Sequence, residues 1–376
     1  MATAFDALPP PTKKAAIVPE RFLTLEEAGG LAFWERIWNL LDEQAANPMQ
    51  SFAWIEAAAA TIGQGGKLRF VGFQRGERLA AVAPLIKLPG DLGGAWELLN
   101  LARLYEPADL LAVDETSLLA LSEELARRGL PLFLGRVPAE SPTIAAIRQA
   151  YGRRGWVVCR PQANTPYIPL DESWATPENK ISSRRRSDFR RSRRHAEELG
   201  DVSTEIVNPD ARDVDHLLDV AFEIESRSWK GERGTALAHD PVRGGFYRRY
   251  ARRAASQGML RVGLLHIGGR AAAMQLSVVQ ARALWVLKVG YDPQFQRASP
   301  GILLMVEQIK RAVAEGLHTY ELLGTVEPWI QVWTDCERAC VSLRAYPANL
   351  RGLAALATDA GRKCIAGIKE RGKCKT

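Results

Sequence analysis

Apolar residues recur with helical or strand spacing along most of the chain from about residue 20 onward. In the first half, helical spacing is found at 31–45, 50–62, 117–128 and 141–152. Runs typical of strands are found at 68–74, 78–86 and 131–135, with the turn residues Arg75-Gly76-Glu77 between the first two. This alternation predicts an α/β half that ends near residue 165. Residues 1–19, which are punctuated by prolines, are predicted to be a disordered tail.

The second half has the same order of elements on a larger scale. Helices are predicted at 213–229, 242–257 and 302–315, and strands at 259–267, 270–279, 283–291 and 319–323. Gly268-Gly269 is typical of a tight turn between the first two strands. The halves share no detectable sequence identity, so the common order of elements suggests a duplicated fold.

Composition and charge limit which kinds of partner the protein could bind and in which cellular compartment it is expected. The chain has 376 residues, enough for two domains, and a net charge of +7, which favours phosphorylated cofactors, acidic lipid headgroups or nucleic acid. Five irregularly spaced cysteines indicate a reducing compartment, and Cys336 and Cys340 without nearby histidines make a poor zinc site, so no metal is predicted. Without a secretory signal or a long apolar run, we expect a cytoplasmic protein that could still contact a membrane surface.

The segment at 291–301, Y-D-P-Q-F-Q-R-A-S-P-G, lies between a predicted strand and a predicted helix. The first N–H groups of a helix have no partners within the helix and can bind an anion such as a diphosphate. An ordinary strand-to-helix turn is the alternative. A Ser-His-Asp hydrolase is not indicated, because the chain has no G-x-S-x-G motif.

Several segments together resemble the CelD/BcsL group of GNAT-type acyltransferases, which is related to the Fem-type aminoacyl transferases. They are E-S-R-S-W-K-G at 225–231, K-V-G-Y-D at 288–292, S-P-G at 299–301, E-L-L-G at 321–324, E-P-W at 327–329, the arginine-rich segment at 184–194 and P-M-Q-S at 48–51. The resemblance covers roughly residues 47–345. In GNAT enzymes the cofactor loop reads Q/R-x-x-G-x-G/A, and here Ser299 replaces the middle glycine.

The resemblance implies an α/β (α+β) fold of two GNAT-like modules, each a mixed, mostly antiparallel sheet flanked by helices. The expected boundaries are 20–165 for the first module, 166–346 for the acyltransferase module and 347–376 for a basic amphipathic C-terminal helix. The resemblance also implies an acyl-CoA co-substrate with no permanently bound cofactor. Its diphosphate would be bound by Gln296, Arg297, Ala298, Ser299, Pro300 and Gly301.

The pantetheine arm is expected along the strand that ends at Val289 and Tyr291. In GNAT enzymes a bulge splays the neighbouring strands, and Gly290 is a residue type that permits a bulge. A glycine at a strand end is also ordinary. We expect the acceptor to contact the side chains of Trp229, Lys288 and Trp329.

Three residues are candidates for proton transfer. Glu225 lies on a predicted helix close to Trp229, and a carboxylate beside an indole loses water and becomes a better base; pairing with Arg227 or Lys230 is the alternative. His239 belongs to a type of side chain that exchanges protons near neutral pH, although surface histidines are common. Asp292 would bind substrate or cap its own turn.

Two basic segments bear on the location of the protein. Residues 179–196 carry eight Lys or Arg against one acid, Asp188, and on a helix these charges spread around most of the circumference. The segment is either a solvated basic helix or a contact for acidic lipid or for the phosphates of a cofactor. The C-terminal segment combines apolar positions at helical spacing with basic ones, which is typical of a helix on an acidic membrane surface or of a helix docked on the protein. Nucleic acid is an unlikely partner, because Phe189 is the single aromatic residue in the first segment.

The segment 327–331 indicates the chemistry of the acceptor. Relatives commonly have Tyr-Lys where this chain has Trp329-Ile330, so this wall of the cleft is predicted to be less polar. A sugar would lose water there without replacement hydrogen bonds, whereas an alkyl chain would not. We therefore expect N-acylation of a lipidic, sphingoid-base-like amine, as in a bacterial ceramide synthase. A sugar or exopolysaccharide acceptor, a non-catalytic scaffold and, more distantly, a tRNA-dependent transferase are the alternatives.

Overall fold

The chain forms one continuous sheet covered by helices in a computed structural model that describes residues 19–25, 30–88, 94–99, 104–210, 212–228 and 237–373. Within these residues the strands are β1 (Glu20–Leu25), β2 (Lys67–Arg75), β3 (Arg78–Lys87), β4 (Trp96–Leu98), β5 (Leu111–Ala112), β6 (Leu132–Pro138), β7 (Gly155–Pro169), β8 (Val202–Val207), β9 (Leu260–Ile267), β10 (Arg270–Gln280), β11 (Ala283–Tyr291), β12 (Thr319–Glu321) and β13 (Glu337–Pro347). The α-helices are α1 (Leu31–Asp42), α2 (Phe52–Ala60), α3 (Glu115–Arg127), α4 (Thr143–Gly152), α5 (Ser183–Leu199), α6 (Val214–Arg227), α7 (Pro241–Ser256), α8 (Pro300–Ala314) and α9 (Leu350–Lys373). The predicted disordered tail lies almost wholly outside the described residues.

Each half repeats one arrangement of strands. The strand order is β1-β2-β3-β4-β6-β13-β7-β12-β11-β10-β9-β8, with β5 beside β3. Two neighbouring pairs are parallel, β4 with β6 and β11 with β12, and the other pairs are antiparallel. A helix connects the strands of each parallel pair, α3 in the first half and α8 in the second. This mixed, mostly antiparallel sheet confirms the predicted fold class.

The last strands of the two halves are exchanged. β7 pairs with β12 of the second half, whereas β13 pairs with β6 of the first half. β7 and β13 also pair with each other along nearly the whole length of β13. The predicted module boundary at residue 165 therefore falls inside a strand that belongs to both halves of the sheet.

The largest apolar cluster also crosses from one half to the other. The ring of Trp54 on α2 lies edge-on to the rings of Phe246 and Tyr250 on α7, with 4.8 Å between centroids in both cases. Next to these rings, Arg253 donates to the buried carboxylate of Glu56 at 3.1 Å. Edge-to-face aromatic pairs are worth about 0.5–1.5 kcal/mol beyond the area they bury. The two halves are therefore held in one fixed relation.

The elements of the second half follow from local sequence. Gly268 and Gly269 both have positive φ, 56° and 75°, as a tight hairpin turn between right-twisted strands requires. Helix α8 begins at Pro300, whose missing N–H costs nothing in the first turn. The strand predicted at 319–323 ends earlier, at Glu321, because Leu323 turns the chain with φ of +53°.

Candidate functional site

Strands β11 and β12 separate after a short paired stretch. Ala283–Trp285 pair with Thr319–Glu321, and there β12 ends while β11 continues to Tyr291. Beyond Trp285, β11 remains hydrogen-bonded to β10 on one edge, and its other edge has no strand partner among the described residues. The two strands therefore open a V-shaped cleft in the middle of the sheet.

A bulge in β11 accompanies the opening. Leu276 on β10 faces Lys288, but the next residue, Ser277, faces Val286, so Leu287 is the extra residue. The observed bulge thus lies three residues before Gly290, the position at which the sequence suggested a bulge. Gly290 has another function in the packing, because a Cβ atom at this position would lie 3.1 Å from the Cα atom of Glu225. The glycine allows the last turn of α6 to approach the cleft strand.

Charged side chains from both halves meet at the mouth of the cleft. Glu106, from the loop between β4 and β5, accepts a hydrogen bond from the N–H of Gly324, just after β12. Its carboxylate is also close to the charges of Lys288 on β11 and of Arg243 on α7. The Lys288 ammonium lies 4.7 Å from the centroid of the Tyr247 ring, one helical turn after Arg243. We call Glu106, Lys288, Arg243, Tyr247 and Glu225 the junction cluster.

Burial controls the protonation of this cluster. Burial raises the pKa of Glu106, against the opposing effect of the nearby Lys288, Arg136 and Arg243 charges. Burial also lowers the pKa of Lys288, although Glu106 and Glu225 favour its charged form. Both shifts reduce the cost of moving a proton between a carboxylate and an amine here. Such shifts are typical of catalytic sites.

Strained backbone surrounds Glu106. Tyr105, Arg136 and Leu323 have φ values of 60°, 52° and 53°, which are left-handed and unfavourable for residues other than glycine. The guanidinium of Arg136 donates to the carbonyl oxygens of Tyr105 and Gly324, and so connects the loop of Glu106 to the end of β12. Each such conformation costs of the order of 1–3 kcal/mol, and such residues tend to cluster at functional sites.

Glu225 and Lys288, both predicted from the sequence, come together in the junction cluster. The Glu225 carboxylate is 1% exposed and accepts a hydrogen bond from the N–H of Leu237 at 2.9 Å. Trp229, the predicted neighbour of Glu225, lies outside the described residues. Glu106, Arg136 and Arg243 were not predicted, because nothing in their local sequence marks them and their neighbours come from distant parts of the chain.

The other two candidates for proton transfer have different surroundings. His239 is exposed at the end of a short 3-10 helix, Leu237–His239. Asp292 is buried and caps the 3-10 helix Pro293–Ala298 by accepting from the N–H of Gln294 at 2.9 Å. Its second oxygen lies 3.6 Å from Arg227 and 3.9 Å from Arg270. These contacts match the capping alternative for Asp292.

The predicted cofactor loop has few free N–H groups. Ser299 donates its N–H to Gln296 at 3.0 Å, Pro300 has none, and Ile302 donates to the Ser299 carbonyl at 3.0 Å. Ser299 has left-handed backbone, φ +47°, which aims the chain into α8. Gly301, at the second position of α8, is partly exposed.

The side chains around this helix start divide into exposed and buried ones. Gln296 and Arg297 are exposed, whereas Ala298 is buried. On the neighbouring strand, Val289 and Tyr291 are partly exposed, and the Tyr291 ring lies 3.9 Å from where a Cβ atom of Gly301 would be. The end of β11 and the start of α8 therefore meet at one place.

Apolar residues form the other side of the cleft. Trp329 is partly exposed and packs against the cluster that includes Val286 of β11 and Leu322, just after β12. Its indole N–H donates to Glu327 at 2.7 Å. Ile330, which was also expected to line the cleft, is instead a core residue with 3% exposure.

Comparisons with known proteins agree with this geometry. Residues 183–330 match the family model described as "Acetyltransferase (GNAT) domain", which covers α5 through the cleft and α8. A search of curated proteins gave no match.

Solved structures of similar fold cover nearly the whole chain. One is the C-terminal domain of a putative lysylphosphatidylglycerol synthetase from Agrobacterium fabrum, at 11% identity and a TM-score of 0.57, covering 88% of this chain and 96% of that one. Another is FemX, at 13% identity and a TM-score of 0.53, covering 86% and 97%. A conserved protein of unknown function from Bacteroides thetaiotaomicron has 11% identity and a TM-score of 0.51, covering 87% and 99%.

At these low sequence identities, the solved structures show a shared fold alone. The family match shows in addition which part of the chain resembles a GNAT domain. Of the helices in the described residues, none is long and apolar enough to cross a membrane. Residues 183–330 thus match a GNAT acetyltransferase domain within a larger fold of mixed, mostly antiparallel sheet, and the protein is an acyltransferase.

Proposed function

We propose that the protein transfers the acyl group of an acyl-CoA to the amino group of a long-chain, sphingoid-base-like amine. The observation that carries this proposal is the cleft between β11 and β12, at which the buried Glu106 and the partly buried Lys288 lie near each other. A carrier thioester in the cleft would place its carbonyl carbon beside groups that can exchange a proton. The fold and the family match support acyl transfer in general.

The acyl-CoA would lie along the edge of β11 that faces β12, beyond the end of their pairing at Trp285. The amide groups of pantetheine can hydrogen-bond to an exposed strand edge as another strand would. The diphosphate would then reach the start of α8, where the Gly301 N–H, the helix dipole and the exposed Arg297 favour an anion. Of the predicted loop, Gln296 and Ser299 would complete the surroundings of the diphosphate, while buried Ala298 and Pro300 shape the turn.

The reaction needs a neutral amine and a stabilised oxyanion. The amine nitrogen attacks the thioester carbon and forms the C–N bond, and Glu106 accepts the proton that the nitrogen must lose. The positive charge of Lys288 would stabilise the developing oxyanion. The C–S bond then breaks, and the thiolate leaves with a proton returned by Glu106 or by water. Glu225 adds negative charge that attracts the ammonium form of the acceptor, and His239 at the surface would relay protons to solvent.

The lipidic acceptor is supported by the apolar side of the cleft. Trp329 is partly exposed and offers an alkyl chain a dry surface, with the buried Val286 and Leu322 in the same apolar cluster, whereas sugar hydroxyls there would lose water without compensation. On α9, Leu350, Leu353 and Leu356 recur every three residues and are 86%, 49% and 38% exposed. Together with the basic helix α5, such an apolar stripe suits peripheral contact with an acidic membrane surface.

The test measures CoA release and amide formation by mass spectrometry with palmitoyl-CoA and either sphinganine or glucosamine. We expect product with sphinganine, and a loss of about 10²-fold or more in kcat for Glu106→Gln, because a positioned base typically contributes 10²–10⁴-fold. The variant should also lose the acid limb of the pH–rate profile, since Glu106 must be ionised to act. Glu123→Gln, at an exposed position of α3, is the matched control and should retain activity.

Three outcomes would contradict parts of the proposal. Product with glucosamine alone would replace the lipidic acceptor by a sugar. Full activity of Glu106→Gln would remove Glu106 from proton transfer. Failure to bind any acyl-CoA would reduce the chain to a scaffold. Flotation with phosphatidylglycerol vesicles tests the membrane contact separately, and protein that stays at the bottom of the gradient would contradict it.

A further inference from the structure

A basic groove lies between α5 and α8, beside the proposed diphosphate position. Arg186, Arg190 and Arg194 are four residues apart, so they lie on one face of α5 and form a row roughly 12 Å long. This face, with Phe189, borders a groove of 520 Å³ whose other side is α8. The sequence alone, with basic residues all around the helix, defined no such face.

The arginines of this row are not neutralised within the protein. The two glutamates that border the groove, Glu178 and Glu307, both lie near Lys310, at 3.6 and 3.1 Å. Among the described residues, no carboxylate lies within ion-pair distance of Arg186, Arg190 or Arg194. Three adjacent guanidinium groups without a counter-charge repel one another, and a bound anion with several oxygens would relieve this repulsion.

The groove is physically joined to the predicted cofactor loop. Ser192 on α5 donates its hydroxyl to that of Ser299 at 3.2 Å, immediately before α8 begins. Leu303 and Val306, which line the groove, lie roughly 4.5 and 9 Å along the α8 axis from Pro300. A ligand whose diphosphate sits at the start of α8 can therefore reach the groove with its next chemical group.

The lining suits a nucleoside that carries an additional phosphate. Phe189, Leu303 and Val306 supply apolar surface for a planar base, and the arginine row supplies donors for a phosphate. The volume falls in the range of about 300–1,000 Å³ that is common for small-molecule sites. Arg190 and Arg194 are exposed and Arg186 is partly exposed along a groove between two helices. A concave surface of this kind admits a discrete phosphorylated ligand, whereas a flat lipid bilayer does not enter it.

We propose that this groove binds the 3′-phosphorylated adenosine of the acyl-CoA, with the 3′-phosphate held by Arg190 and Arg194 and supported by Arg186. This assignment rests on the proposed function, since it extends the same acyl-CoA molecule beyond its diphosphate. It makes the 3′-phosphate a determinant of specificity, so the protein distinguishes CoA from 3′-dephospho-CoA.

Isothermal titration calorimetry with CoA and 3′-dephospho-CoA tests the assignment on the full-length protein. We expect the wild-type protein to bind CoA about 10- to 100-fold more tightly, which is roughly the effect of one full charge-assisted hydrogen bond shared between two exposed arginines. In Arg190→Gln/Arg194→Gln the preference should fall below about threefold, with binding of 3′-dephospho-CoA nearly unchanged. Arg191→Gln is the matched control, because Arg191 is on the same helix, pairs with Asp188 at 2.8 Å and does not line the groove.

The outcomes separate this proposal from the proposed function. If the wild-type protein binds both nucleotides equally, or the double variant keeps the full preference, the groove assignment is wrong while acyl-CoA binding stands. If the wild-type protein binds neither nucleotide, the proposed function and the groove assignment both fail. If the double variant keeps the CoA preference but loses binding to phosphatidylglycerol vesicles, the row is a lipid contact instead.

Discussion

Arg136 shows how a single residue can hold a site formed by two halves of a chain. Its guanidinium bonds to carbonyl oxygens of Tyr105 and Gly324, which belong to different halves. Its own backbone is left-handed, so the position is strained and is stabilised by these contacts. Glu106, which lies next to Tyr105, is thereby held against the end of β12.

At the same scale, Asp109 is a partly buried residue whose carboxyl group makes the stability of the protein depend on pH. Burial raises its pKa from 3.8 to about 6, although Ser141, Thr143 and the Leu110 N–H oppose the shift. Between about pH 4 and 6 the folded state holds a proton that the unfolded state has released. The free energy of unfolding therefore decreases as the pH rises through this window.

Replacing Asp109 by Asn should remove this penalty. At pH 8 we expect the variant to be more stable by up to about 3 kcal/mol, because its amide cannot ionise, and at pH 4 the gain should vanish. Urea unfolding at both pH values measures the difference, with Glu123→Gln as an exposed control. An equal gain at both pH values would mean that the effect does not come from ionisation.

The residues of the site differ in how far the sequence could reveal them. Glu225 and Lys288 stand in segments that resemble a known family, so their chemistry could be predicted. Glu106 follows Tyr105 in a loop without periodicity, and its role comes from Lys288, Arg243 and Gly324, which are far away in sequence. Contacts of this kind depend on the tertiary fold and leave no local pattern.

At the scale of elements, the packing of α6 on β11 determines where the Glu225 side chain lies relative to the cleft. Gly290 lets the backbone of Glu225 come so close that a methyl group would be only 3.1 Å from its Cα atom. A substitution there must push the end of α6 away from the strand. The displacement would move the carboxylate of Glu225 relative to Lys288.

Gly290→Ala should therefore impair the reaction more than it impairs folding. We expect a loss of about 10-fold in kcat/KM, because Glu225 must move by a few tenths of an ångström and a full shift of about 1 Å in a positioned group costs about 10²-fold. Steady-state kinetics and thermal melts measure the two effects. Gly152→Ala is the control, since nothing lies within 4 Å of a Cβ atom there, and equal losses in both variants would refute the explanation.

Elements with strong periodicity were predicted well, and those without it were missed. Helix α6 and strands β9 to β11 lie within about two residues of their predicted bounds, because their apolar faces are regular. Strand β7 was missed, since most of its residues up to Asn164 are exposed or partly exposed and do not alternate. It is a strand because β12 and β13 supply its hydrogen bonds.

The whole molecule should unfold as one unit, because its sheet and its largest apolar cluster include both halves. In β6, Leu134 is fully buried and lies opposite Leu343 of the exchanged strand β13. A cavity at Leu134 in the first half would therefore directly weaken its contact with Leu343 in the second half.

Leu134→Ala should lower one common melting transition. We expect a loss of about 2–5 kcal/mol, typical of a cavity at a buried leucine, with tryptophan fluorescence and circular dichroism shifted together. Leu199→Ala, at a residue that is 56% exposed, should melt like the wild-type protein. Two separate transitions, of which one keeps its wild-type midpoint, would show that the halves unfold independently.

The exchanged strand also has a consequence for biosynthesis. Of the strands in the described residues, β13 is the last in the sequence, yet it lies at the centre of the sheet, between β6 and β7. Until it emerges, the nascent chain carries two open strand edges, which are the usual templates for aggregation. Completion of even the first half must therefore wait until β13 has been made, and holding chaperones would be most needed during that interval.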